Sequence, residues 1–170
     1  MFDIQTVKSS EDIRHVAMLA HEIWNQHFVS IIGQEQVDYM LNEFQSPSAI
    51  MGQLSTGFEY FLAVTNHQEQ EEKAGYLGIL ADENASRLMI SKIYIREKNR
   101  GTGLGNYLLD FVKTRCSERN LKTVWLTVNR FNDETISWYQ RKGFDIVDEV
   151  KKDIGGGFVM DDYIMELTVD

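Results

Sequence analysis

Apolar residues in the first third of the chain recur mainly at intervals of three and four residues, the spacing of one helix face. Two of the predicted helices begin with capping signals, because Ser9 lies three residues before Asp12 and Ser46 directly precedes Pro47. A short alternating run precedes the first helix and predicts a strand. The N-terminal third is therefore predicted to be one strand followed by three helices, at about residues 2–7, 9–28, 34–44 and 46–54.

The period changes near residue 57, beyond which strand-length apolar runs alternate with polar turns, among them residues 66–73. Short links favour an antiparallel meander, and an amphipathic helix follows from Leu104. A later helix is capped by Asn132 or Asp133 and ends just before Gly143. The order β-α-α-α-β-β-β-α-β-α-β-β predicts a mixed α/β sheet with helices on its faces, its later strands at residues 58–65, 74–80, 87–95, 123–128, 144–150 and 158–169.

The composition of the 170-residue chain, 43% hydrophobic with one proline, fits a single globular domain over residues 1–170. A net charge of −9 disfavours nucleic acid and anionic membranes as partners and would attract a cationic substrate, although a soluble acidic surface has the same surplus. The single cysteine, Cys116, cannot form an internal disulfide, the N-terminus lacks the order of a signal peptide, and no apolar run reaches the ~18 residues of a membrane span. These features predict a cytoplasmic protein.

The stretch Arg100-Gly101-Thr102-Gly103-Leu104-Gly105 joins a predicted strand to a predicted helix. Alternate glycines bring backbone close to a ligand, and a helix that begins there offers free N–H groups to a pyrophosphate; a plain glycine-rich turn has the same pattern. Asn106 and Tyr107 stand where a P-loop needs Lys and then Ser or Thr, and the spacing is not that of a Rossmann fingerprint. A phosphate site in so acidic a chain must be locally positive, which Arg96, Lys98 and Arg100 would provide.

Two segments carry a family resemblance. Arg100-x-x-Gly103-x-Gly105, preceded by Lys92-Ile93-Tyr94-Ile95, resembles motif A of the GCN5-related N-acetyltransferase superfamily, usually written Arg/Gln-x-x-Gly-x-Gly/Ala. Asn129-Arg130-Phe131-Asn132 and Trp138-Tyr139-Gln140-Arg141-Lys142-Gly143-Phe144 resemble the second signature of the family, in the right order and spacing. The resemblance covers about residues 2–168. It implies a mostly antiparallel sheet of six to seven strands with helices on both faces, and acetyl-CoA as the cofactor.

The resemblance also implies roles for individual residues. The pantetheine arm of the cofactor would lie along Ile93, Tyr94 and Ile95 like an added strand, which requires this strand to separate from its neighbour. Tyr139 would be the general acid that protonates the leaving thiolate, and a tyrosine packed between helix and sheet is the structural alternative. Asn132 is a cofactor contact, a helix cap or both. The other implied cofactor contacts are Arg100, Gly101, Thr102, Gly103, Leu104, Gly105 and Asn106 at the pyrophosphate, and Asn129, Trp138 and Lys142 opposite.

The general base is left unassigned by the resemblance. Many relatives carry a glutamate on the strand before the glycine loop, but residues 87–95 contain no acid. Glu22 and His27 are candidates, and an exposed helix face is the commoner place for both. Family precedent places the acceptor between the first two helices and the last two strands, which a predicted glycine hinge at residues 155–157 connects. The implied substrate contacts are Trp24, His27, Asp161 and Asp162.

The C-terminal run, residues 157–165, resembles that of bacterial spermidine/spermine acetyltransferases. Asp161 and Asp162 would then attract a polycation, in agreement with the net charge of −9. An acidic turn before an ordinary strand is the alternative interpretation of this pair.

The leading hypothesis is an acetyl-CoA-dependent N-acetyltransferase that transfers the acetyl group directly to a primary amine, for example a polyamine. A covalent intermediate is not expected, because Cys116 falls on the helix after the loop, where it should pack in the core. His15, His21 and His27 are six residues apart and spread around a helix, which argues against a metal site. The alternatives are a protein or peptide amine acetyltransferase and a non-catalytic acyl-CoA sensor. Homodimers are common in the family, so a homodimer is a further expectation.

Overall fold

The structure is a computed structural model that describes residues 1–170. It contains seven strands, six helices and one 3-10 turn at Glu97–Asn99. The strands are β1 (Phe2–Thr6), β2 (Glu59–His67), β3 (Gln70–Asp82), β4 (Arg87–Ile95), β5 (Thr123–Asn129), β6 (Asp145–Gly155) and β7 (Phe158–Thr168). The helices are α1 (Ser10–His27), α2 (Val29–Ile32), α3 (Gln34–Phe44), α4 (Pro47–Ser55), α5 (Leu104–Glu118) and α6 (Asp133–Arg141).

The predicted capping signals at the start of α1 and α4 are confirmed. The Asp12 backbone N–H donates to Ser9 Oγ at 3.1 Å, and the Ser9 N–H donates to the Asp12 carboxylate at 3.0 Å, which completes a capping box. Ser46 Oγ accepts the N–H of Ala49 at 3.3 Å. These bonds satisfy helix N–H groups that would otherwise lack a partner.

Helix α2 is absent from the predicted element order. Its single turn forms because the N–H groups of Ile31 and Ile32 both donate to the Phe28 carbonyl, at 3.0 and 2.9 Å. Gly33 follows with φ of +84°, a conformation that glycine adopts without strain, and separates α2 from α3. Four residues are too few for an apolar repeat to be visible, so the periodicity did not show this element.

The predicted polar turn at residues 66–73 is wrong. The β2–β3 ladder continues through His67 and Gln70, so that only Gln68 and Glu69 form the turn. Both turn residues have positive φ, 50° and 64°, which matches the twist of a two-residue hairpin. The polar side chains at this end of the hairpin are mostly exposed, so the apolar pattern stops before the backbone pairing does.

The glycines at residues 155–157, predicted as a hinge, connect the last two strands. Gly155 is the last residue of β6 and pairs with Phe158, and Gly156 and Gly157 form the tight turn of the hairpin; all three have positive φ. The Tyr39 hydroxyl of α3 donates to the Ile154 carbonyl at 2.6 Å, and a Cβ at Gly155 or Gly156 would collide with the Tyr39 side chain. The hairpin tip is therefore docked on α3.

The sheet has the strand order β1-β2-β3-β4-β5-β7-β6, and β4–β5 is the only parallel pair. Helices α5 and α6 contribute Leu108, Val112 and Ile136 to the core on one face. On the other face, α1 and α4 contribute Val16 and Ile50 to a second core. The predicted mixed sheet with helices on both faces is thus confirmed. No helix is both long enough and apolar enough to span a membrane.

The parallel pair β4–β5 is short. It pairs only residues 87–89 of β4 with residues 123–125 of β5. Beyond this point β4 continues to Ile95 beside β3 alone, and β5 continues to Asn129 beside β7 alone. The two central strands therefore separate, and the separation predicted for cofactor binding is present in the fold.

Candidate active site

The gap between β4 and β5 opens into a cleft of about 1340 Å³. Pockets for one small ligand measure ~300–1,000 Å³, so this cleft has room for an extended cofactor and a second substrate. The glycine loop and α6 border the cleft on one face of the sheet, and α1 and the β6–β7 hairpin border it on the other. We call these two parts the loop side and the helix side of the cleft.

The β4 edge on the gap consists of backbone. Tyr94 points its ring away from this edge and packs on Trp24, Phe28 and Tyr76, with ring centroids 5.6, 5.9 and 5.5 Å away. These contacts hold the strand in place without the hydrogen bonds of a second neighbour. Unpaired N–H and C=O groups along β4 are suited to an amide-bearing arm such as pantetheine.

The loop between β4 and α5 has the conformation that its glycines permit. Gly101 and Gly103 have φ of +74° and +93°, where side chains rarely occur. A Cβ at Gly105 would lie 3.1 Å from Trp138 Cζ2, so this glycine allows α5 and α6 to approach each other. The Tyr107 N–H donates to the Gly103 carbonyl. Gly103, the N-cap residue, has no side chain that could bind the N–H groups of the first turn of α5. The first turn of α5 can therefore bind a pyrophosphate through its backbone.

The positive charge of the loop is smaller than the sequence suggested. Arg96 forms ion pairs with Glu22, at 2.7 Å, and Glu72, at 2.9 Å, and Lys98 also pairs with Glu72. Arg100 is exposed, and the only bond of its side chain is from Nε to the Ile95 carbonyl at 3.3 Å. Of the three basic residues, Arg100 alone keeps its charge available for a phosphate.

Tyr139 lies on α6 between the helix and the sheet and lines the cleft. It is 4% exposed and packs on the rings of Trp138 and Phe144, with centroids 5.1 and 5.2 Å away. Burial, with a smaller effect from Tyr94, raises the pKa of Tyr139 above its usual range. A phenol is protonated near neutral pH even without this rise, so Tyr139 holds a proton that it can donate to a strong base such as a thiolate.

Asn132 joins the two sides of the cleft. Its Oδ1 lies 3.1 Å from Nε2 of His27, the last residue of α1. The predicted side-chain cap of α6 is absent, because neither Asn132 nor Asp133 bonds its own helix in this way. The Asn132 Oδ1 atom, which could cap α6, lies within hydrogen-bond distance of His27 instead. This contact holds the start of α6 against the end of α1.

The two adjacent aspartates of β7 face opposite sides of the sheet, as successive strand residues do. Asp161 pairs with Arg130 at 2.7 Å and lies outside the cleft. Asp162 lines the cleft, is 4% exposed and forms no salt bridge. Burial raises the pKa of Asp162 to about 6, with a further rise from Asp161 and an opposing hydrogen bond from Thr127.

Lys92 is a cleft residue that the sequence reasoning missed. Its Nζ donates to Gln53 Oε1 at 3.2 Å and to Ser91 Oγ at 3.3 Å, and it lies 5.4 Å from the Tyr60 ring centroid. No carboxylate oxygen lies within 4.0 Å of it. Burial lowers the pKa of Lys92 to about 8. The only signal in the sequence was a lysine in the middle of a mostly apolar strand.

The cleft brings together most of the residues selected from the sequence. Those outside its lining are Thr102, which donates to the Asn99 carbonyl, Leu104, which is buried in the core, Lys142, which lies over the Trp138 ring, and Asp161. Arg141 of α6 lines the cleft in place of Lys142. The selected residues in the lining are Trp24, His27, Ile93, Tyr94, Ile95, Arg100, Gly101, Gly103, Gly105, Asn106, Asn129, Asn132, Trp138, Tyr139 and Asp162.

A sheet with separated central strands, next to a glycine loop that opens a helix, suits a cofactor that carries amides and a pyrophosphate. The chain belongs to the acetyltransferase (GNAT) family, because residues 28–166 match the sequence model of the family described as "Acetyltransferase (GNAT) domain". It is an N-acetyltransferase, and acetyl-CoA is its acetyl donor. An uncharacterized N-acetyltransferase encoded in the pepI 3′ region of Lactobacillus delbrueckii subsp. lactis is 26% identical over 152 residues, which cover 84% of this chain and 85% of that protein.

Solved structures have the same fold. The PaiA N-acetyltransferase of Thermoplasma acidophilum in complex with coenzyme A is 19% identical, with a TM-score of 0.77 over 99% of both chains. A GCN5-related N-acetyltransferase of Rhodopseudomonas palustris is 14% identical, with a TM-score of 0.78 over 98% of this chain and 95% of that one. At these identities the likeness shows the fold alone.

Proposed function

We propose that the protein transfers an acetyl group directly from acetyl-CoA to a small primary amine that enters from the helix side. The observation that carries this proposal is the gap between β4 and β5, which connects the loop side with the buried Asp162 on the helix side. Cys116, the only thiol, is fully buried in the core beside Leu121, so no covalent relay is assigned to it.

The cofactor is held mainly by backbone. The N–H groups at the start of α5 and Arg100 would bind the pyrophosphate, and the β4 edge at Ile93 and Ile95 would bind the pantetheine amides. Asn129, Asn132 and Trp138 line the opposite wall, and Arg141 stands near them. When bound, acetyl-CoA supplies an activated acetyl thioester.

Tyr139 is the general acid in this proposal. Its hydroxyl, kept neutral by burial, donates a proton toward the departing sulfur. The packing of its ring on Phe144 and Trp138 limits the directions that the hydroxyl can take. A rigid donor of this kind lowers the barrier because it needs little rearrangement during the reaction.

The acceptor enters as an ammonium ion attracted by Asp162. A polyamine is one such amine, supported by the net charge of −9 and by the unpaired carboxylate in the cleft. The support is weaker than two cleft aspartates would give, because Asp161 is already paired with Arg130.

A second acceptor class is favoured by Lys92. A largely buried ammonium with no carboxylate partner is costly unless a ligand supplies the negative charge. An amine that also carries a carboxylate, such as an amino acid or a peptide, would supply it. Lys92 on β4 and Asp162 on β7 are separated by β5 alone, so such an acceptor would span roughly 10 Å or more at ~4.8 Å per strand.

The test is an acceptor panel matched in chain length. Monoamines, α,ω-diamines and ω-amino acids of equal length are each supplied with acetyl-CoA, and release of free thiol is measured. Best turnover with diamines supports a polyamine-like acceptor, and best turnover with ω-amino acids supports the carboxylate class. Direct transfer predicts intersecting lines when both substrates are varied, whereas parallel lines, or no transfer to any amine, would overturn the proposal.

A further inference from the structure

An acceptor ammonium must lose a proton before its nitrogen can attack, since an alkyl ammonium has a pKa of ~10.4. The two candidate bases on α1 are each engaged by another side chain. Glu22 is held by Arg96 through two bonds of 2.7 and 3.0 Å, and His27 is bonded to Asn132. The strand before the glycine loop contains no acid. These interactions favour a base on another element of the cleft.

Asp162 is the only carboxyl group in the protein that is buried. Strand register places it opposite Asn129 of β5, next to the point where β5 runs free beside the gap. It shares a face of β7 with Met160, which packs against the core cluster of Trp24 and Phe28 under the helix side. The carboxyl group therefore faces the part of the cleft from which the acceptor comes.

We propose that Asp162 is the general base that removes the proton from the acceptor ammonium. This inference rests on the proposed function and names the group that the direct-transfer mechanism lacks. Asp162 and Tyr139, the proposed acid, both line the cleft that opens between β4 and β5. Base and acid thus lie on opposite sides of the same gap.

The surroundings of Asp162 suit a base that works near neutral pH. Its pKa of about 6 leaves the carboxyl ionised at pH 7 and closer to an amine in basicity than an exposed aspartate is. Asp161 contributes to the rise from the same strand, and Thr127 of β5 donates a hydrogen bond that opposes it. The other charged or titratable groups that line the cleft are His27 of α1, Lys92 and Tyr94 of β4, Arg100 of the glycine loop, Asp133, Glu134, Tyr139 and Arg141 of α6, and Lys152 and Asp153 of β6. The carboxylates among them, Asp133, Glu134 and Asp153, are exposed, unlike Asp162.

The proton balance closes with these two residues. The ammonium proton moves to the Asp162 carboxylate, which later returns it to solvent. The free amine nitrogen forms a bond to the acetyl carbon as the carbon–sulfur bond breaks, and the sulfur takes a proton from the Tyr139 hydroxyl. The second proton lost by the nitrogen restores Tyr139. The net result is one amide, one free thiol and one proton released.

The decisive variant is Asp162→Asn, which keeps the shape of the side chain and removes the base. With a strongly basic amine at pH 7, kcat should fall by roughly 10²–10⁴-fold, because ammonium fills the cleft and cannot be deprotonated. The matched control is Asp161→Asn, one residue away and outside the cleft. It should keep turnover within a few-fold and move the acidic limb of the pH profile to lower pH, because one of the charges that raise the pKa of Asp162 is gone.

The pH profile separates a base from a simple anchor for the ammonium. The wild-type kcat/KM should rise with pH through about 6, since the carboxyl must be ionised to act. In Asp162→Asn this limb should disappear. A plot of log kcat against pH should instead rise with a slope of one up to the pKa of the amine, because only the neutral amine reacts. A fluorinated amine that is already neutral at the assay pH should largely bypass the substitution. A raised KM with unchanged kcat, or an equal loss with the neutral amine, would overturn the base role.

A readout that does not depend on turnover is the titration of the free protein labelled with ¹³C at aspartate carboxyl groups. One carboxyl should titrate near 6, and its signal should be missing in Asp162→Asn. Titration of Asp162 in the range of an exposed aspartate would overturn the inference. If Asp162→Asn turns over at the wild-type rate, the base role is wrong but the proposed function stands. If the wild type acetylates none of the amines, the proposed function itself is wrong.

Discussion

The loop side and the helix side of the cleft present different kinds of groups to their ligands. On the loop side the groups are largely backbone: the first turn of α5, the glycine loop and the free edge of β4. On the helix side they are side chains from distant segments, above all Lys92 and Asp162, which carry unpaired charge. The first kind of site can accommodate one fixed cofactor, and the second kind can change its ligand by single substitutions.

This difference indicates which residues determine the specificity for the cofactor and for the acceptor. A backbone site depends on conformation, so most substitutions nearby leave it intact unless they alter φ or fill the space of a glycine. A site of buried charges depends on the identity of each side chain, because every unpaired charge requires a complementary group on the ligand. The acceptor should therefore be determined by few residues and the cofactor by the fold.

The largest effect is expected at Tyr139, which lies where the two sides meet. Tyr139→Phe removes only the hydroxyl, and turnover should fall by roughly 10²–10⁴-fold with little change in the KM of either substrate. Tyr107→Phe is the matched control, since Tyr107 is 40% exposed on α5 and does not line the cleft. Normal turnover in Tyr139→Phe would show that Tyr139 is not the general acid.

A smaller effect, confined to the helix side, is expected for Lys92→Met. Loss of a charge-assisted bond of ~1.5–3 kcal/mol should raise the KM of a carboxylate-bearing amine by about 10- to 150-fold. The KM of acetyl-CoA and the KM of an uncharged-tail monoamine should stay near the wild-type values. Lys122→Met, an exposed lysine outside the cleft, controls for the change in net charge. An equal effect on both amines would show that Lys92 has no part in choosing the acceptor.

A smaller effect again, on the loop side, is expected for Gly103→Ala. A side chain at φ of +93° costs ~1–2 kcal/mol, so the KM of acetyl-CoA should rise by about 5- to 30-fold while that of the amine is unchanged. Gly52→Ala on α4 is the control, because it has no neighbour within 4 Å and lies in regular helix. A selective rise in the amine KM would contradict the division of the cleft into two sides.

The smallest effect on activity is expected for Cys116→Ala. The thiol is buried in the core of α5, and its Sγ donates to the Leu121 carbonyl at 3.3 Å. The substitution should cost about 1 kcal/mol of unfolding free energy, measured in urea, and leave kcat unchanged. A large loss of kcat in a folded variant would point to a covalent route and against direct transfer.

The loop side was largely predictable because its determinants are local in sequence. Gly101, Gly103 and Gly105 lie in one stretch, and their spacing reflects the backbone conformation and the close approach of Trp138. The separation of β4 from β5 was expected only through the family resemblance, since no residue pattern encodes where a parallel pair stops.

The helix side was predictable only in part, because its properties depend on partners far along the chain. Lys92 is buried by Gln53 and Tyr60, and no sequence pattern connects these residues. At the glycine loop, the ion pairs of Arg96 with Glu22 and Glu72 could not be predicted for the same reason. For the aspartates a signal was present. Strand alternation alone implies that only one of two successive residues on β7 can face the cleft.

The free edge of β4 is also relevant to aggregation. Unpaired strand edges are the usual starting points of aggregation, because they accept strands from other chains. Here the open edge lies in the middle of the sheet, with β5 and β7 beyond it and helices on both faces. This position differs from the outer border of a sheet, where a strand from another chain can pair freely. The unpaired edge of β4 is thus open to a small molecule inside the cleft and does not lie at the outer border of the sheet.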